Sequence, residues 1–405
     1  MGDSMSYVSL DKKGLGLYVH IPFCLSKCAY CDFNSAVPEN EELMSRYVSA
    51  LISHMKSYCY INKEYEVDTV FIGGGTPTAL PKKELARLVR AIKKCFHVTR
   101  DAEFTVEANP ATVTLASLKQ LRRLGVNRLS FGMQSADDRE LKALSRLHTR
   151  GEFVESYRAA RAAGFDNINV DVMFGIPYQT YDSLMKTLRF VARLDPEHIS
   201  MYNLKIEPGT PFHKNLEAVK KVCADEDTEY AMYTGAIDYL ASVGYPQYEI
   251  SNFSRRGYRC FHNMKYWNCE EYLGFGVSAH SYFNGNRFSF TPDVKKYMLA
   301  VEDMSSSISI TEDSEQLEPR ERMGEYIMLR FRLADGLDPE VFMRKFGVSF
   351  EEAYGRKLNR YLAQGFMVRL ENGAYALTPQ GMFVSNYILS DILEFEDLGG
   401  LMTGF

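Results

Sequence analysis

Six short apolar, β-leaning runs alternate with amphipathic helical stretches through the first half of the chain, and this order constrains the fold more than any other feature. Leu15–His20, Thr69–Ile72, Glu103–Val106, Arg128–Phe131, Asn167–Met173 and His198–Asn203 read as strands. Between them Glu41–Tyr58, Pro81–Lys94, Leu115–Leu124, Glu152–Ala163 and Tyr181–Leu194 carry the helical period, with Gly125 and Gly164 placed as helix-ending glycines. A βα unit repeated about six times predicts an α/β fold with a parallel sheet and right-handed crossovers, either open and doubly wound or closed into a full or partial barrel. Both versions collect their chemistry beyond the carboxyl ends of the strands. Cys24, Gly73 to Pro77, Glu107, Gln134, Asp171 and Lys205 all fall at or near such ends, so one mouth is expected to receive them.

The 405 residues exceed one ordinary core and suggest a large domain followed by a smaller one. With 46% hydrophobic and 24% charged residues and a formal net charge of -5, the composition is that of a soluble globular protein and gives no electrostatic case for nucleic-acid binding. No run approaches the roughly 20 apolar residues of a membrane span, and the first ten residues lack the pattern of a secretory signal. Eight cysteines without secretory features argue for reduced thiols in a cytoplasm.

Three of those cysteines share one short stretch, "CLSKCAYCDF", in which Cys24, Cys28 and Cys31 form a CxxxCxxC spacing. Cys59, Cys95, Cys223, Cys260 and Cys269 are scattered and read as incidental thiols. A structural zinc normally takes four protein ligands, commonly as two cysteine pairs, and the sequence shows no second pair. Three unligated thiols so close together would be prone to oxidation. A cubane iron–sulfur cluster fits better, because three thiolates leave one iron open to a small molecule.

This spacing just after a first strand resembles the radical S-adenosylmethionine superfamily. The resemblance implies a 4Fe–4S cluster whose open iron chelates S-adenosylmethionine and whose electron cleaves it to a 5'-deoxyadenosyl radical. In "FIGGGTPT" the glycines permit close backbone approach to a ligand, and Gly74, Gly75 and Thr76 match the superfamily's glycine-rich motif. The ordered set "LYVHIPFC", "GGGTPT", "VEANP", "LSFGMQS", "DVMFGIP" and "LGFGVSAHS" is similar to the oxygen-independent coproporphyrinogen III oxidase family over nearly the whole chain. It implies cofactor contacts at Tyr18, Tyr30, Gly74, Gly75, Thr76, Glu107, Gln134, Arg146 and Asp171, with Lys205 and His280 as further candidates. Glu107 or Asp171 suits ribose hydroxyls, and Arg146 suits a carboxylate. An electron donor such as flavodoxin or ferredoxin is implied as well. No catalytic residue is assigned.

Oxidases of this family carry a further cysteine two residues after the third, where this chain has Phe33. "FHNMKYWN" holds the only tryptophan and resembles the HNxxYW motif of a branch of the family, the HemW-type haem chaperones, as does "CDFNS". The resemblance implies haem binding and delivery to haem proteins, chiefly respiratory ones, in the cytoplasm and with membrane contact only through partners. His262 is then the expected axial ligand to haem iron, with Asn263, Tyr266 and Trp267 shaping the site. The competing expectation is a radical enzyme that decarboxylates coproporphyrinogen III or acts on another tetrapyrrole.

The resemblance implies a partial (β/α)6 barrel. Residues 1–303 are expected to hold this core and the haem-motif extension, 304–315 a linker, and 316–405 a smaller domain. In the last, helices over Arg320–Leu333, Pro339–Phe346 and Phe350–Gln364 and an Asn372-Gly373 hairpin resemble a winged helix, expected to pack on or lid the barrel rather than bind DNA.

Overall fold

The computed structural model describes residues 12–110, 112–302 and 309–393. Its six leading strands are β1 (Lys13–Ile21), β2 (Tyr65–Gly74), β3 (Val98–Ala108), β4 (Arg128–Gln134), β5 (Ile168–Phe174) and β6 (His198–Asn203). They pair in sequence order and all in parallel. The crossovers are α1 (Glu41–Ser57), α2 (Lys82–Cys95), α3 (Leu115–Leu124), α4 (Asp138–Ala143) with α5 (Arg150–Ala162), and α6 (Tyr181–Leu194). Local chemistry sets their ends. Thr114, Thr149 and Thr180 cap α3, α5 and α6 through reciprocal bonds with the residue three positions on, and Gly125 closes α3 at φ +93°.

Eight further strands follow: β7 (Gln247–Glu249), β8 (Asn252–Ser254), β9 (Tyr272–Phe275), β10 (His280–Phe283), β11 (Asn286–Phe290), β12 (Thr311–Gln316), and the hairpin β13 (Met367–Arg369) and β14 (Tyr375–Leu377). Among the described residues the main sheet runs β12-β11-β10-β9-β1-β2-β3-β4-β5-β6-β8-β7 and does not close. β9 lies parallel to β1, and β10 to β12 extend that edge antiparallel. The stretch expected to be a linker therefore includes an edge strand, β12; its residues 304–308 lie outside the described residues.

Strand alternation decides where the two kinds of side chain go. On β4, Leu129, Phe131 and Met133 are fully buried in the apolar core, whereas Arg128, Ser130, Gly132 and Gln134 line an inner cavity. β5 repeats this, with Ile168, Val170 and Val172 in the core against Asn169, Asp171 and Met173 on the cavity. Fully burying each such aliphatic or aromatic side chain contributes roughly 1.5–3 kcal/mol, so the outer face holds the fold while the inner face is left for polar work.

Residues 319–393 form helices over Pro319–Arg330, Pro339–Phe346 and Phe350–Ala363, the hairpin, and short helices over Pro379–Phe383 and Ser385–Leu393. Gly373 takes φ +86° in the hairpin turn. This unit docks beside the barrel. Ile250 N–H donates to the Arg332 carbonyl and Ala334 N–H to the Tyr248 carbonyl, both at 2.9 Å. Arg259 pairs with Asp335 across the same junction. Among the described residues, none of this unit lines the inner cavity.

Candidate functional site

The cysteine loop leaves β1 at Ile21 and is pinned at its base by backbone bonds. Cys24 N–H donates to Ala36 at 3.0 Å and Ala36 N–H to Pro22 at 2.8 Å, while Phe212 N–H reaches Ala29 at 3.0 Å. His20 fastens the far side: one ring nitrogen meets the Asn34 carbonyl at 2.9 Å and the other the Tyr18 hydroxyl at 3.0 Å. Asn34 in turn donates to Ser278 and to the Pro292 carbonyl, tying the loop to the β9–β11 segment. Cys24, Cys28 and Cys31 stay as free thiols and all three face a cavity of about 460 Å³.

Glycines bring the β2 end against this loop. Gly75 N–H donates to the Ile21 carbonyl and Thr76 N–H to that of Phe23, both at 2.8 Å. A Cβ at Gly75 would lie 2.7 Å from the Phe23 carbonyl and 3.0 Å from Cys24 Sγ; Gly74, at φ +108°, would place one on the His20 ring. Gly74 N–H donates to Glu107 Oε2 at 3.0 Å. Burial, with Asp171 nearby, pushes the Glu107 carboxyl up to about 8. Burial also raises Asp171, held against it by bonds from Asn169 at 2.7 Å and Ser130 at 3.3 Å.

Arg146 bridges the loop and the barrel. Its guanidinium meets Cys28 Sγ at 3.5 Å, Asn109 Oδ1 at 3.0 Å and the Gly132 carbonyl, while its Nε is buried without a partner. Gln134, held at φ +68°, likewise buries Oε1 unpartnered. Two orphaned polar atoms on one cavity suit a polar ligand. Among the described residues no three His, Cys, Asp or Glu side chains converge as around a single metal ion. A cluster that takes one thiolate at each of three separate irons does not need them to converge.

The expected residues are thus mostly gathered. Tyr30, Gly74, Gly75, Thr76, Glu107, Gln134, Arg146, Asp171 and Lys205 line the cavity with the cysteines. Tyr18 does not; it lies one layer beneath, against Phe71, which does. His280 sits exposed on β10, in the antiparallel extension of the sheet, and does not line this cavity. Not anticipated were Asn109, Arg128, Ser130, Asn169, Ser200 and Tyr202. Their signal was present in the alternation of polar with apolar residues along β4, β5 and β6.

The HNxxYW stretch forms a short helix, Phe261–Trp267, packed across β2. Glu103 Oε1 and Oε2 accept the N–H groups of His262 and Phe261 at 3.0 and 3.1 Å, and so cap it from β3. Asn263 reaches the cysteine cavity. His262 is 1% exposed and stacks on Phe71, with Nδ1 2.9 Å from Thr69 Oγ1 and Nε2 2.8 Å from the Tyr266 hydroxyl. Both nitrogens have hydroxyl partners, one as donor and one as acceptor, and burial lowers the pKa to about 3, so the ring is neutral here. Trp267 buries Nε1 without a partner.

Residues 18–191 match the Radical SAM superfamily and residues 317–384 the HemN C-terminal domain. The chain is 34% identical over 377 residues to "Heme chaperone HemW" of Bacillus subtilis, covering 93% of this chain and 98% of that one. Against "Heme chaperone HemW" of Escherichia coli it is 32% identical over 380 residues, 93% and 97% of the two chains. The solved structure of coproporphyrinogen III oxidase (HemN) from Escherichia coli, described as a radical SAM enzyme, aligns with a TM-score of 0.83 over 95% of this chain and 91% of that one. At 23% identity this likeness shows the fold. Among the described residues no helix is long and apolar enough to cross a membrane. With an open sheet whose core is parallel, a three-cysteine loop at its mouth and these matches along its length, the chain belongs to the HemW family of radical S-adenosylmethionine proteins.

Proposed function

We propose that this protein is a haem chaperone that binds haem and delivers it to haem proteins, with a 4Fe–4S cluster and S-adenosylmethionine in its barrel. The observation that carries the reading is end-to-end similarity to relatives named heme chaperones at 34% and 32% identity. Phe33 supports it. This residue is 62% exposed at the cavity rim, where the oxidase pattern has its additional cysteine.

In this reading Cys24, Cys28 and Cys31 hold the cluster, which when bound supplies one-electron reduction to S-adenosylmethionine. Gly74, Gly75 and Thr76 give backbone room on one side of that ligand, and Arg146 and Gln134 offer the orphaned polar atoms on the other. Glu107 keeps its proton near neutral pH and orients the Gly74 amide. Tyr30 and Phe33 shield the cysteines at the rim. Residues 1–303 act as the core and the C-terminal unit as a docked support. Respiratory acceptors, a flavodoxin or ferredoxin donor and a cytoplasmic location with membrane contact through partners complete the proposal.

The test is anaerobic reconstitution followed by parallel haem titration and porphyrin product analysis. The expected result is a haem-induced Soret change with no protoporphyrinogen formed under strict reduction. Robust decarboxylation of coproporphyrinogen III would overturn the chaperone reading in favour of the enzyme.

A further inference from the structure

Behind the polar wall of the cysteine cavity runs a chain of buried side chains that ends on the motif helix. Ser130, Asn169, Asp171 and Ser200 line the cavity, whereas His198, beside Asn169 across the β5–β6 ladder, and Tyr248 on β7 do not. Both are buried, His198 completely. The His198 ring joins the two layers, with Nδ1 2.6 Å from Asn169 Oδ1 and Nε2 2.8 Å from the Tyr248 hydroxyl. The Tyr248 oxygen also accepts the N–H of Cys260, the residue that precedes the motif helix, at 3.2 Å.

The two ends fix the direction of every bond in this chain. Asp171 accepts on both oxygens: Asn169 Nδ2 donates to Oδ1 at 2.7 Å and Ser130 Oγ to Oδ2 at 3.3 Å. Asn169 Nδ2 also donates to Ser130 Oγ at 2.7 Å, so its nitrogen faces the carboxylate and its Oδ1 faces away, accepting from Ser200 at 3.1 Å. His198 must then carry its proton on Nδ1 to meet that same Oδ1, and Nε2 is left as an acceptor. At the far end the Cys260 amide can only donate, which leaves the Tyr248 proton for Nε2. Burial lowers the His198 pKa well below its ordinary value, so the ring is neutral and one tautomer serves both partners. The opposite tautomer would present a bare nitrogen to Asn169, and turning the amide to meet it would set Asn169 Oδ1 against Asp171 Oδ1.

We propose that His198 is a positioning residue for the S-adenosylmethionine site, holding Asp171 in place through Asn169 and taking its own proton placement from Tyr248 and the start of the motif helix. The inference rests on the reading that this cavity binds S-adenosylmethionine with Asp171 in contact. An amide free to turn supports a carboxylate poorly. One locked from behind by a ring proton keeps both acceptor oxygens set before the ligand arrives, and so lowers the cost of binding.

The test measures S-adenosylmethionine affinity of the full reconstituted chain by equilibrium binding, with iron–sulfur absorbance as the check that each variant is loaded. His198→Asn and His198→Leu are close in size and share the lost packing and the lost Tyr248 bond, but only the asparagine amide can donate where Nδ1 did. His198→Asn should stay within about threefold of wild type, and His198→Leu should bind about tenfold more weakly. In an Asp171→Ala background the two should bind alike, because the residue through which they differ is gone. Where leucine lowers cluster loading, nitrogen NMR of the histidine rings in the wild-type chain decides: the signal lost in His198→Asn should be that of a neutral ring protonated on Nδ1, and protonation on Nε2 overturns the assignment. Equal affinity of the two variants, or a gap between them that persists without Asp171, also overturns it and leaves the cofactor reading standing. Failure of reconstituted wild type to bind S-adenosylmethionine defeats that reading and this inference together.

Discussion

Glu107→Gln should convert a pH-sensitive stability into a flatter one. The folded carboxyl titrates at about 8 against 4.5 when unfolded, first because it is buried and second because Asp171 lies close. A raised folded pKa means that the native state holds the proton more tightly, so the stabilisation is fully present below 4.5 and is lost as pH rises through about 8. The ceiling is on the order of 5 kcal/mol over that window. Glu107 borders the cavity, and solvent entering it screens the charge, so about 2 kcal/mol is the working figure. Glutamine retains an oxygen to accept the Gly74 N–H and removes the titration. Thermal unfolding of the ligand-free protein, followed from pH 5 to pH 8.5, should show the variant gaining on wild type as pH rises. Parallel curves would show that the carboxyl is already ionised at neutral pH, and the electrostatic account of the barrel interior would fail.

Two further substitutions probe the supports of the site. Gly75→Ala drives a methyl into the Phe23 and Ile21 carbonyls and toward Cys24 Sγ, so it should cost roughly 1–3 kcal/mol and lower iron–sulfur absorbance after reconstitution toward that of a Cys24→Ala control; full cluster content would refute the close-approach argument. Glu103→Gln leaves Arg128 buried without its carboxylate, 4.0 Å away, and weakens the cap of the motif helix. It should destabilise by about 3 kcal/mol and raise amide hydrogen exchange at Phe261 and His262; unchanged exchange there would mean that the helix holds itself.

The parallel half of the sheet was readable because its outer face obeys simple rules. β6 and helices α3 and α6 occupy the expected residues, the short α4 was not expected, and the other leading strands and helices differ from expectation only at their ends. The antiparallel flanks were not readable: β7 and β8 are three residues each, and β12 is entirely exposed and built from Thr, Glu, Asp, Ser and Gln. Such a strand owes its place to backbone pairing with β11, which leaves no hydrophobic period. The cysteine loop and glycine edge were legible as spacing, but the polar inner wall was not, because Ser130, Asn169 and Ser200 gain meaning only when β4, β5 and β6 stand side by side. The surroundings of His262 were hidden for the same reason: Thr69, Phe71 and Tyr266 enclose it, and none of those contacts is local except the last.

The motif helix connects these observations. One flank reaches the cysteine cavity through Asn263, and its start is held from within the barrel by Glu103. Arg330 of the C-terminal unit grips Asn268 at 2.6 Å, while Lys265 is bound to Asp68 and Glu270 at 2.8 and 3.2 Å. A seven-residue helix is too short to be stable alone, so its position is set by these outside contacts. A ligand in the cysteine cavity that touches Asn263 therefore bears on a helix held from β3 and from the C-terminal unit. The motif helix is thus tied to the cysteine cavity through Asn263 and to the rest of the fold through Glu103 and Arg330.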